Sequence, residues 1–307
     1  MSSARAARMS VRIVGAFLFV AAFALATSSL RAQGQVRAEC RSVPSKILGH
    51  AVRYCAFLPP SYDANSAAKY PVLYYLHGLG GNEQVLLRAG GMNILQDLLD
   101  QKKIGEFIIL APDGGRSFYI NSRDGKVRYE DFFMREFMPY VESHYRVKAG
   151  RGNRGVTGMS MGGYGSLRYG FKYASEFGSV SAHSAAIIEK LPEIEITDEQ
   201  SEKLALELGG TFGDPIDRGF WQKQSPFTIV KSMPRPVGLQ IYFDCGTDDE
   251  FGFYKGAQQF HDLLTSRKIP HEFHLYPGGH DWDYFARHFP ASLEFHSHAF
   301  ELAASGK

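Results

Sequence analysis

Midway along the chain, Arg154 to Gly170 reads RGVTGMSMGGYGSLRYG, and within it Gly158-Met159-Ser160-Met161-Gly162 sets one serine between two glycines. Glycine loses conformational entropy on folding, so such density marks backbone that bends sharply or approaches another group closely. Where a strand runs straight into a helix, this spacing suits a nucleophile elbow. The serine sits on a strained turn with Oγ raised above the sheet, and bulkier neighbours would clash. The free N–H groups of the helix start then favour negative charge developing at that point. The same five residues would also suit a glycine-rich turn whose serine merely caps the helix. The choice between them rests on the serine's partners.

An elbow needs a second set of backbone donors from an earlier strand–loop junction. YYLHGLGGNEQ supplies one, a buried strand ending in His77-Gly78-Leu79-Gly80-Gly81. The amides of Leu79 and Met161 would together form an oxyanion hole. His77, at the strand edge, is better suited to holding that loop by hydrogen bonds.

A base must come from eleven histidines. His280, in LYPGGHDWDYF, follows the last alternating strand, where the C-terminal strand ends gather. His183, ending FGSVSAHS, is the second choice. His271 and His274 lie in the last strand and His296 and His298 in the terminal helical stretch, so structural roles suit them. His271 and His274 would face opposite sides, and no H-E-x-x-H occurs, so no metal site is expected. The acid should follow the penultimate strand. YFDCGTDDEF offers Asp244, within the strand and read as structural, and the loop pair Asp248 and Asp249. Serine, acid, histidine is the chain order of α/β-hydrolases. Such chemistry calls for no metal or organic cofactor. Asp113, Gly114 and Tyr119 in APDGGRSFYIN, and Trp282 beyond His280, are candidates to line the substrate pocket, although ordinary packing suits the aromatics equally.

These groups need a scaffold, and the chain spells one. YPVLYYLHG, EFIILAPDGG, GNRGVTGMS, FGSVSAHSAA, PVGLQIYFDC and HEFHLYPGG read as strands. MNILQDLLDQKKI, GGYGSLRYGFKYASEF and YEDFFMREFMPYVESHYRV read as helices, the last kinked or interrupted near Pro139. The alternation predicts an α/β fold: a mostly parallel sheet with helices on both faces and an N-terminal antiparallel hairpin. Residues 33–307 form a single domain on this reading. An irregular, initially acidic insertion at about 187–236 is either a cap over the site or packing outside the sheet.

The first 32 residues read differently. Arg5, Arg8 and Arg12 precede an apolar run from Ile13 to Ala26 with small residues after it, the layout of a secretory signal peptide cleaved after Ala26 or Ala32. Cleavage after Ala32 removes four arginines and no acid. This leaves 30 basic against 32 acidic residues, a net charge of −2, with no basic run for nucleic acid. The mature form is expected to be periplasmic or secreted and not stably inserted in a membrane, with its oligomeric state open. In that oxidising setting Cys40 and Cys55, facing each other across a hairpin centred near Leu48, are expected to form a disulfide. Cys245 is expected to be a buried free thiol, since no cation adjoins it.

The motifs LPPSYD, YPVLYYLHGLGG, APDGG, GMSMGGYGSL, FDCGTDDEF and PGGHDWDYF resemble the esterase D family of α/β-hydrolases, over about Val36 to His288. That family includes S-formylglutathione hydrolases, feruloyl and acetylxylan esterases, and mycolyltransferases. The resemblance implies a serine carboxylesterase acting on a small-molecule or polysaccharide-linked ester. It matches the family's histidine to His280 and its oxyanion donors to Leu79 and Met161. Its acid lies three residues after the strand-end glycine, which selects Asp249 over Asp248. Two alternatives accompany this reading: acyl transfer to a sugar hydroxyl, as in the mycolyltransferases, and a non-catalytic binding protein on a hydrolase scaffold.

Overall fold

A computed structural model of the protein describes residues 34–191 and 208–306. The signal peptide expected over residues 1–32 and the acidic stretch 192–207 of the insertion lie outside the described residues. The alternating N-terminal segment forms β1 (Arg37–Pro44) and β2 (Ala51–Leu58), an antiparallel hairpin with Gly49 at a positive φ in its turn. Its register sets Cys40 opposite Cys55, and the two sulfurs are bonded.

β2 joins the rest of the sheet through an antiparallel pairing with β4 (Ile108–Pro112). From there β3 (Val72–Leu76), β5 (Arg154–Gly158), β6 (Ser179–His183), β7 (Gln240–Gly246) and β8 (Glu272–Tyr276) are parallel. The eight strands run in the order β1-β2-β4-β3-β5-β6-β7-β8. This is the α/β-hydrolase fold, with the antiparallel hairpin where the sequence placed it.

β3 shows why its sequence is apolar throughout. Val72, Tyr74 and Leu76 enter the core on one face of the sheet, and Leu73 and Tyr75 enter the core on the other. A strand in a parallel sheet has no solvent face, so alternation disappears. Helices on both faces cover these residues. Of the helices, α1 (Val85–Arg88) and α2 (Gly91–Asp100) follow β3, while α3 (Tyr129–Phe132) runs through a π-helical turn at Phe133–Phe137 into α4 (Met138–His144). Near Pro139, where a kink or an interruption was expected, the helix widens into this π-turn and then continues. The wider turn ends just before the proline, whose ring and missing N–H would disrupt an ordinary helix interior.

α5 (Met161–Lys172) starts directly after Ser160. In the insertion, α6 (Arg218–Gln224) and α7 (Pro226–Ser232) bury Trp221 and Phe227 in the main core, and the Tyr164 hydroxyl on α5 donates to the Gln224 carbonyl. This part of the insertion is packing against the sheet's helices. After α8 (Phe253–Ser266), the chain closes with α9 (Trp282–Ala304), a helix with an unexpected polar attachment to the sheet. Its His296 is fully buried between the Ser179 and Ser181 hydroxyls, at 2.7 and 2.9 Å, and its Ser292 lies 2.8 Å from His183 Nε2. Among the described residues no helix is long and apolar enough to cross a membrane.

Candidate active site

Because β3, β5, β7 and β8 are parallel, their C-terminal ends lie along one edge of the sheet, and every candidate catalytic residue follows one of them. Ser160 has φ +55° and ψ −120°, in the left-handed half of backbone space where a side chain is strained. Its amide donates to the His183 carbonyl at 3.0 Å, and its carbonyl accepts from Ala186 and Tyr164, so the turn is fixed from both sides. The serine side chain makes no cap hydrogen bond to α5, which removes the capping role. The flanking glycines are steric requirements. A Cβ on Gly162 would stand 1.9 Å from the Leu76 carbonyl oxygen, and one on Gly158 would stand 2.5 Å from Gly162 backbone atoms.

Leu76 leads into His77-Gly78-Leu79. His77 is buried, accepts the Gly114 amide at Nε2 (2.8 Å) and lies 2.8 Å from the Gly78 carbonyl through Nδ1. With Nε2 accepting, Nδ1 carries the proton and donates, giving a neutral ring that holds the loop. Gly78 approaches so closely that its Cβ would lie 3.3 Å from Ser160 Cβ. Leu79 is therefore carried to the elbow. The Met161 amide opens α5 and has no intrahelical acceptor. Among the described residues neither it nor the Leu79 amide has a hydrogen-bond acceptor.

Asp249 and His280 are brought together: His280 Nδ1 lies 2.7 Å from Asp249 Oδ2. Asp249 is buried and its other oxygen accepts the Phe251 and Phe253 amides, whereas Asp248 is exposed. Phe251 and Phe253 also set their rings edge-on to the imidazole, with centroids 4.9 and 5.4 Å away. Cys245 is a buried free thiol whose Sγ lies 3.7 Å from Asp249 Oδ2. Burial first, and the Asp249 charge second, push that thiol far above its ordinary range, so it stays protonated. No hydrogen bond joins Ser160 to His280 among the described residues. Such contacts are commonly long in unliganded enzymes and tighten around substrate.

The remaining candidates separate. His183, the second choice for base, is fully buried against Ser292 and lies 2.8 Å from Asp244 Oδ2. It turns away from the surface a substrate must reach, so that assignment is corrected. Asp244 is structural as expected. Burial alone would raise its pKa, but His183 and the Tyr284 hydroxyl (2.8 Å) outweigh it and hold the carboxyl below its usual range. Tyr119 takes the packing place that its sequence left open beside pocket lining. It is fully buried, packs against Gly114 and Gly165, and donates its hydroxyl to the His77 carbonyl at 3.0 Å. It supports the His77-Gly78-Leu79 loop. Asp113 and Gly114 line a separate cavity of about 450 Å³ together with Arg53, Ser117, Tyr129 and Thr211. Trp282 is half-buried at the start of α9, packed on Phe285. His271 stands one residue ahead of β8, with its Nε2 2.7 Å from His261 Nδ1. No cluster of three or more metal-ligating side chains occurs among the described residues.

A strained serine between two sterically obligatory glycines follows β5 of this sheet, with an Asp–His pair beyond β7 and β8, the strand-end placing expected of a nucleophile elbow and its partners in an α/β-hydrolase fold. Comparison with known proteins makes the assignment specific. Residues 45–296 match the model of the family described as "Putative esterase", and the chain belongs to that family. It is 32% identical over 243 residues to Esterase Rv1288 of Mycobacterium tuberculosis, covering 73% of this chain and 51% of that protein. The chain thus spans about half the length of that relative. It is 28% identical over 228 residues to an acetyl esterase of Caldicellulosiruptor saccharolyticus, covering 73% of this chain and 82% of the relative. Among solved structures, a ferulic acid esterase superposes with a TM-score of 0.75 at 28% identity, covering 87% of this chain and 99% of that one.

Proposed function

We propose that the protein is an exported serine carboxylesterase working through Ser160, His280 and Asp249. The observation that carries the reading is the 2.7 Å contact between Asp249 and His280 Nδ1, on the same strand edge as the strained Ser160. With Nδ1–H donating to the carboxylate, Nε2 is left as the free base. Ser160 Oγ attacks the ester carbonyl while His280 Nε2 takes its proton, and Asp249 stabilises the imidazolium. The oxyanion is received by the Leu79 and Met161 amides. His280 then protonates the departing alcohol, and a water activated by the same nitrogen releases the acid.

The acetyl esterase and ferulic acid esterase among the similar proteins support acyl groups in the range from acetyl to feruloyl, on a small-molecule or polysaccharide-linked alcohol. Export is supported by the arginine-led apolar segment before residue 33 and by the Cys40–Cys55 bond, which persists in oxidising compartments. Ser160→Ala tests the catalytic reading. Hydrolysis of p-nitrophenyl acetate is expected to disappear while the far-UV circular dichroism stays that of the wild type. Undiminished turnover would refute it.

A further inference from the structure

The Asp–His contact is one rung of a longer ladder. Where the parallel pairing of β7 and β8 ends at Gly246 opposite Tyr276, the two following loops stay bonded residue by residue. The Thr247 amide donates to the Tyr276 carbonyl at 2.8 Å, and the Asp248 amide donates to the Gly278 carbonyl at 2.9 Å. The Gly278 amide returns a bond to Asp248 Oδ2 at 3.2 Å, and the His280 amide donates to Glu250 Oε2 at 3.1 Å. The ladder is held from both sides. A Cβ on Gly246 would lie 2.2 Å from the Gly278 carbonyl oxygen, and one on Gly278 would lie 2.7 Å from the Tyr284 ring. Three consecutive acids therefore grip one loop: Asp248 and Glu250 by its backbone, Asp249 by the imidazole.

We propose that Glu250 is a positioning residue for His280: by accepting the His280 backbone N–H it fixes the residue whose ring moves the proton. The proposal rests on the catalytic reading above. Asp249 alone fixes one ring nitrogen but leaves the backbone that carries the ring free to shift. Glu250 removes that freedom at the residue itself. The acidic side chains bonded to this loop are Asp249 on the His280 Nδ1, Asp248 on the Gly278 amide and Glu250 on the His280 amide. Phe251 and Phe253, the rings edge-on to it, are uncharged.

The test compares Glu250→Ala and Glu250→Gln with the wild type on p-nitrophenyl acetate, with Ser160→Ala beside them. Glu250 is exposed, so neither variant disturbs the core. In Glu250→Ala, kcat is expected to fall about tenfold, the lower end of what a hydrogen bond to a charged group is worth, with KM within about twofold. In Glu250→Gln the amide oxygen still accepts the His280 N–H, so kcat returns to within about threefold of wild type on the same scale. An unchanged kcat in Glu250→Ala, a loss confined to KM, or a Glu250→Gln variant as slow as Glu250→Ala would each overturn the assignment. Turnover surviving in Ser160→Ala would instead overturn the reading beneath it.

Discussion

Gly162→Ala isolates what the elbow demands of its neighbours. The added methyl would stand 1.9 Å from the Leu76 carbonyl oxygen, 2.5 Å from its carbon and 2.8 Å from the His77 carbonyl oxygen. Ordinary contact to a backbone atom needs about 3.5 Å. Either the start of α5 or the end of β3 must therefore retreat by roughly 1.5 Å, and both choices move the site, since one carries Ser160 and the other leads to Leu79. A misplacement of about 1 Å at reacting groups costs about a hundredfold. kcat/KM on p-nitrophenyl acetate is accordingly expected to fall about a hundredfold or more. Unfolding by urea should show a loss of about 1–3 kcal/mol from overpacking. Gly210→Ala is the control: among the described residues nothing lies within 4 Å of its Cβ position, and no left-handed φ is required there. In its helical segment it should leave stability unchanged or raise it by up to about 1 kcal/mol. Wild-type activity in Gly162→Ala would refute the close approach of these three segments.

Further outcomes follow from other parts of the molecule. Asp249→Asn should lose about ten-thousandfold in kcat, as expected when the imidazole loses its orienting carboxylate, whereas Asp248→Asn, which keeps an oxygen for the Gly278 amide, should lose less than about tenfold; steady-state kinetics separate them. Reducing the Cys40–Cys55 bond, which closes a loop of sequence separation 15, should lower unfolding free energy by about 3 kcal/mol in urea titrations while activity at 25 °C persists. Burial first, and the neighbouring His183 second, push His296 from 6.5 down to about 3. The unfolded chain therefore binds a proton below about pH 6.5 that the folded state refuses. Stability from this group is present at pH 7 and falls as pH drops, by about 2 kcal/mol at pH 5. Burial tends to raise the carboxyls of Glu130 and Asp244, but Arg168 and His183 respectively overcome it and hold both below their ordinary range. Their contribution is present above about pH 4.5 and adds to the loss further into acid. Urea midpoints measured from pH 7 to pH 3 check both, and a flat profile would contradict them.

Much of this was legible because the relevant constraints are local. Solid apolar runs bounded by Pro and Gly marked β3 and β4, since a strand buried on both faces has no polar alternation to hide it. Gly158 and Gly162 announced the elbow because no other residue fits where a Cβ would meet Leu76 or Gly162 backbone. The Cys40–Cys55 pairing followed from hairpin symmetry. What escaped were contacts between distant segments. Nothing near His296 points to Ser179, 117 positions away, and nothing near His183 points to Ser292. The polar attachment of α9 appears only when the sheet is assembled. For Tyr119 the sequence left pocket lining and packing equally open, and its hydroxyl bond to the His77 carbonyl, which favours packing, joins segments 42 positions apart. Glu250 passed unnoticed because its partner is a backbone amide, which no side-chain pattern reveals. The π-turn ahead of Pro139 has a cue in the proline itself, but the choice between breaking and widening the helix is made by packing.

On the proposed mechanism Ser160 forms the covalent intermediate. Incubation with a fluorophosphonate, followed by peptide mass mapping, tests this at the residue itself. A single adduct is expected on the peptide containing Ser160, stoichiometric with lost esterase activity and absent from Ser160→Ala. An adduct on another residue, or full inhibition with Ser160 unmodified, would contradict it.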